Sequence, residues 1–110
     1  MRKITTALLS LIATLVAAQS TTRQDSLLNI GRMWRDNHNF EMAIDQFLRA
    51  GGDEAEYEMA LTHYYMGKIS MALSESKSIA KRGNNFSLDA EVLTALCRES
   101  QGFERAAIRI

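Results

Sequence analysis

LLNIGRMWRDNHNFEMAIDQFLRA, residues Leu27 to Ala50, is the stretch whose reading decides the fold. Leu27, Ile30, Gly31 and Trp34 recur at i, i+3, i+4 and i+7, the spacing of one helical face. Asp36-Asn37-His38-Asn39 is a polar turn. Phe40, Ala43, Ile44, Phe47 and Leu48 then repeat the helical period. Both helices are too short to hold in water alone, so they must pack. A turn this short makes them antiparallel neighbours. Gly31 and Ala43 are small where the helices cross, so the backbones can approach. Trp34 and Phe47 fill the space on either side.

The pattern continues outward from this hairpin. Gly51-Gly52 stops the second helix, and Asp53 with Glu56 three residues on forms a capping-box-like start for a third. That helix carries Met59, Ala60 and His63 on one side and Tyr57, Leu61 and Tyr64 on the other. Gly67 is the next turn, followed by Ile69, Ala72, Leu73, Ser76 and Ala80 on one face of a fourth helix. Gly83-Asn84-Asn85 ends it, and Ser87 is an N-cap for a fifth helix that packs through Leu93, Thr94 and Cys97. Gln101-Gly102 reads as a turn, and Phe103, Ala106, Ala107 and Ile110 as the start of a sixth helix.

Composition agrees with an all-α chain. The 110 residues suffice for one small domain, and they include no proline, so nothing forces a helix to break. Lys and Arg number 13 and so do Asp and Glu, a neutral balance without the dense basic stripe of a nucleic-acid binder. One cysteine cannot form an internal disulfide, so packing alone must hold the fold.

The first residues belong to a different kind of segment. Met1-Arg2-Lys3 is a short positive head, Ile4 to Ala17 is an apolar run, and Val16-Ala17-Ala18 ends it in small side chains. This resembles a secretory signal peptide over residues 1–18, of the bacterial type that ends in Ala-Gln, with Gln19 as the new N-terminus. Retention as a membrane anchor is the alternative, although the run is shorter than the ~20 apolar residues a span needs. Cleavage removes Arg2 and Lys3 and no acid, leaving 11 − 13 = −2 on residues 19–110. The expected location is the bacterial periplasm, the cell envelope or the medium, with no stable membrane insertion after cleavage.

Three anchors recur through the chain: a small residue in a first helix, a small residue 12 positions later, and a bulkier one 4 further on. They are Gly31, Ala43 and Phe47; Ala60, Ala72 and Ser76; and Thr94, Ala106 and Ile110. Successive units are offset by 60 − 31 = 29 and 94 − 60 = 34 residues. The second offset, with two helices per unit, is the period of the tetratricopeptide repeat (TPR) family. The chain resembles that family through Leu27, Ile30-Gly31, Trp34, Ala43, Phe47 and Ala50 in the first unit. Met59-Ala60, Gly67 and Ala72 match in the second, and Leu93-Thr94, Phe103 and Ala106 in the third. His63, Ser76 and Cys97 stand where the family has aromatics, and its inter-repeat proline is missing. The first interval is five residues short, so the helix ending it should stop about a turn early. The resemblance implies an α-solenoid of about three antiparallel helix-turn-helix repeats, over residues 24–52, 53–83 and 87–110, the last incomplete. A non-repeat bundle of three or four helices gives similar periodicity; recurrence at three anchors favours the repeat.

Chemistry is sparse. His38 and His63 have no partner at zinc-ligand spacing, and there is no glycine-rich phosphate loop or nucleophile elbow. His63 falls in a packing slot and Cys97 on a packing face, so both read as core residues. No cofactor or metal is expected, and the chain reads as non-enzymatic. By resemblance to the family, first helices line a concave groove, here Leu28, Arg32 and Arg35, then Tyr57, Leu61 and Tyr64, then Glu91, Ala95 and Arg98. Arginine and tyrosine are interface anchors. The expectation is a protein or peptide segment held in this groove, with Arg32, Arg35 and Arg98 meeting its acidic groups. The sixth helix would leave Phe103, Ala107 and Ile110 half covered, where repeat arrays carry a polar cap. A truncated form of a longer exported protein, which could be an enzyme, self-association through that uncapped helix, or a capping partner would each account for it. A small hydrolase with an unfamiliar site is the third functional reading, disfavoured by the lack of a nucleophile–base pair.

Overall fold

The computed structural model describes residues 21–108, with side chains through 103; the expected signal peptide lies outside the described residues. Helix α1 covers residues 21–36, α2 Phe40–Ala50, α3 Gly52–Tyr65, α4 Ile69–Ala80 and α5 Ser87–Ile108. The described residues contain no strand, as the helical periodicity predicts.

The opening hairpin forms where the sequence places it. Phe47 is fully buried, and its ring lies directly over Gly31. A Cβ on Gly31 would sit 2.8 Å from Cδ1 and Cζ of that ring and closer still to Cε1, so only glycine lets the helices meet here. Leu28, Ala43, Phe47 and Ala55 make one buried cluster, edged by Trp34, Ala50 and Met59. Ala60, Ala72, Ile79, Ala90, Leu93 and Cys97 make a second, shared by α3, α4 and α5. The small residues expected at helix crossings, Ala43, Ala60 and Ala72, are all fully buried.

The two hairpin turns share one construction. After α1, Asn39 N–H donates to Trp34 O and His38 N–H to Arg35 O. After α3, Lys68 N–H donates to His63 O and Gly67 N–H to Tyr64 O. Each pair is a Schellman closure with the residue at its centre in the left-handed region, His38 at φ 64° and Gly67 at φ 82°. Corresponding residues lie 29 apart, the offset between the first two units. Asn39 Oδ1 then accepts from Met42 N–H at 3.4 Å, capping α2.

Four local expectations are corrected. First, α2 does not stop a turn early: it has 11 residues and α4 has 12. The missing residues come out of the link. Gly51, at φ 67°, alone joins α2 to α3, whereas residues 81–86 separate α4 from α5. Second, Asp53 and Glu56 form no capping box, because α3 begins at Gly52 without a side-chain cap. Both acids face Arg82 instead, Asp53 at 3.5 Å and Glu56 closer.

Third, no separate sixth helix forms among the described residues: α5 runs unbroken through Gln101-Gly102 to Ile108. The position matching His38 and Gly67 is Gln101, whose Cβ disfavours the left-handed conformation; glycine comes one residue late. Fourth, α1 and α2 are rolled relative to the sequence reading. Leu28, expected in the groove, is 2% exposed, whereas Ile30 and Leu48, expected inside, are 42% and 65% exposed. α1 packs on α2 and α3 together, so its buried arc is centred between them on Leu28, Gly31 and Arg35.

Candidate protein-binding surface

Arg32 and Arg35 lie three apart on α1 and reach the same strip of α3. Glu54 and Glu58, four apart, wait there. Arg32 Nη2 stands 2.6 Å from Glu54 Oε1 and 3.4 Å from Glu58 Oε1, and Arg35 Nη1 pairs with Glu58 Oε2. The Arg35 and Glu58 side chains are 11% and 10% exposed. Burial alone would lower the Arg32 pKa; the hydrogen bond it donates to Glu54 and the charge of Glu58 outweigh it and hold the guanidinium above its usual value. Two of the three arginines expected to meet a ligand's acids, Arg32 and Arg35, are therefore paired with the chain's own carboxylates. Glu54 and Glu58 were the residues the sequence reading missed; their i, i+4 spacing, complementary to Arg32 and Arg35, was the available signal.

The Arg35 guanidinium also lies 5.8 Å from the centroids of both Phe47 and Tyr65. Tyr57, Leu61 and Tyr64 are half-buried and pack along the second cluster. Tyr57 stacks on Phe86 at 6.2 Å between centroids, 19° from parallel. Burial, with the charges of Asp89 and Glu58 behind it, pushes its phenol pKa up. Arg98 keeps different company: with Glu91 and Ala95 it lines a hollow of about 490 Å³ against Lys77 and Ala80 of α4 and Lys81 just beyond it.

The histidine and cysteine have structural surroundings. His63 Nδ1 stands 2.6 Å from Glu75 Oε1 of α4, and both atoms are enclosed by the fold. Cys97 is fully buried, and burial pushes its thiol pKa up, away from nucleophilic thiolate. In another slot where the family has an aromatic, the buried Ser76 hydroxyl accepts from the half-buried Thr94 hydroxyl at 2.9 Å.

The outer side of α5 carries a row of exposed apolar side chains. Leu88, Val92, Leu96 and Phe103 are between 38% and 71% exposed. At 100° per residue they fall within an arc of about 80°. Ala90, Leu93 and Cys97 occupy the opposite, buried side. The helix therefore carries apolar residues on two faces, and the described residues cover one. The i, i+4, i+8 series Leu88-Val92-Leu96 is visible in the sequence as a second stripe. A smaller hollow of about 430 Å³ lies at the α1–α2 turn, lined by Arg35, Asp36, His38, Phe40 and Tyr65. Among the described residues no three histidine, cysteine or acidic side chains converge as a metal site. No helix among them is long and apolar enough to cross a membrane. Comparison with family models, with curated proteins and with solved structures finds no match.

Proposed function

We propose that this chain is an exported, non-enzymatic scaffold of TPR-like helix hairpins that works by binding another protein. The observation that carries the reading is the exposed apolar row Leu88, Val92, Leu96 and Phe103 on α5. Large apolar side chains exposed along one face of a helix favour a site of protein contact. The repeated Schellman hairpins support the solenoid reading, since stacked hairpins of one construction leave a terminal face of this kind. The leader sequence supports export. The groove of the first helices is a weaker docking surface than its sequence suggested, because Leu28 is core and Arg32 and Arg35 are paired.

The test is co-purification from a cell-envelope extract with the wild-type chain and with Leu88→Glu/Val92→Glu. The reading expects a discrete co-purifying protein that the double variant loses while its helical circular dichroism is unchanged. Identical protein profiles from both would refute it. The same row also favours a second reading, a longer exported protein in which a following helix covers α5. An open reading frame continuing past Ile110 with a helical amphipathic pattern would support that instead.

A further inference from the structure

We propose that the hollow at the α1–α2 turn receives a basic side chain, lysine or arginine, from a partner peptide. The site involves different helices from the α5 row and stands independently of it. Its lining is Arg35, Asp36, His38, Phe40 and Tyr65, and its volume of about 430 Å³ accommodates one long side chain.

Charge bookkeeping sets the sign of the ligand. Arg35 is the obvious attractor for an acid, but Glu58 neutralises it from within. Asp36 remains. It is exposed, and among the described residues it has no ion-pair partner. It is also the last residue of α1, at the partially negative end of the helix dipole. An acid at that end is repelled by its own helix, and a bound cation would relieve the repulsion. The walls suit a cation as well. Phe40 and His38 rings lie 5.7 Å apart, and Tyr65 is 56% exposed. Aromatic faces attract ammonium and guanidinium groups, and the Tyr65 ring already has the Arg35 guanidinium beside it. A carboxylate entering the same space would meet Asp36 and the end of α1. The polarity is thus the reverse of what Arg32 and Arg35 suggest in the sequence.

The experiment titrates the full chain with acetylated, amidated tri-arginine and tri-glutamate peptides at low salt, following backbone amide shifts. Tri-arginine is expected to shift residues 36–40 and Tyr65, and to weaken as salt rises. Asp36→Asn and Tyr65→Leu should each reduce its affinity by about fivefold; the leucine keeps bulk and removes the ring face. Glu41→Gln, an exposed acid outside the hollow, should change it by less than about twofold. The inference is overturned if tri-glutamate binds the hollow instead, if tri-arginine shifts spread over acidic surface generally, or if Asp36→Asn and Tyr65→Leu leave the affinity unchanged.

Discussion

Gly31 shows how much a single position can decide. Its missing Cβ lets the Phe47 ring close over the α1 backbone, and the first buried cluster is assembled around that contact. Gly31→Ala pushes a methyl into the ring, and should cost about 1–3 kcal/mol by chemical denaturation even though alanine favours helix more than glycine. A neutral or stabilising result would mean the ring is not packed there. Glu58 is the second decisive residue. It is the only described carboxylate paired to Arg35, and its backbone carbonyl accepts from the Thr62 hydroxyl at 2.7 Å. Glu58→Ala strands a nearly buried guanidinium and should destabilise by about 2 kcal/mol or more. Arg35→Met with Glu58→Leu should recover most of that loss, because removing both charges leaves none unpaired. Cys97 is expected to react with a thiol reagent only as the chain unfolds, since its sulfur is enclosed and its thiolate disfavoured. Rapid stoichiometric labelling of the native protein would contradict its place in the core.

Elements followed the sequence where two independent signals agreed. The α1–α2 and α3–α4 hairpins had both periodic apolar residues and a turn residue suited to the left-handed conformation, and both formed where expected. Where one signal stood alone, it misled. Gln101-Gly102 was a glycine without a suitable residue at the closing position, and α5 continued through it. Asp53 and Glu56 had capping-box spacing, but a long-range cation, Arg82, took both carboxylates. Local pattern cannot register such competition from 26 or more residues away. The continuity of α5 can be checked directly. A Cβ at Gly102 meets nothing within 4 Å. Gly102→Ala should therefore stabilise the chain by about 0.5–1 kcal/mol through helix propensity alone. Loss of stability would indicate a turn at that position.

At the scale of the molecule, helical class and the pairing of the first four helices were legible in the sequence, because short amphipathic helices with polar turns have few ways to bury their faces. The binding surface was less so. Which arc of α1 faces inward depends on α2 and α3 together, so Leu28 and Ile30 exchanged roles. The charge state of the groove depends on pairing between helices, so Arg32 and Arg35 looked free and are not. What the fold leaves open is the second face of α5. Photo-crosslinking in living cells tests that most directly, with a crosslinking side chain placed in turn at Leu88, Val92 and Leu96, and at Glu41 and Ser70 as exposed polar controls. The account predicts one discrete adduct from the three α5 positions and none from the controls. Adducts from the controls alone, or the same diffuse products from all five, would contradict it.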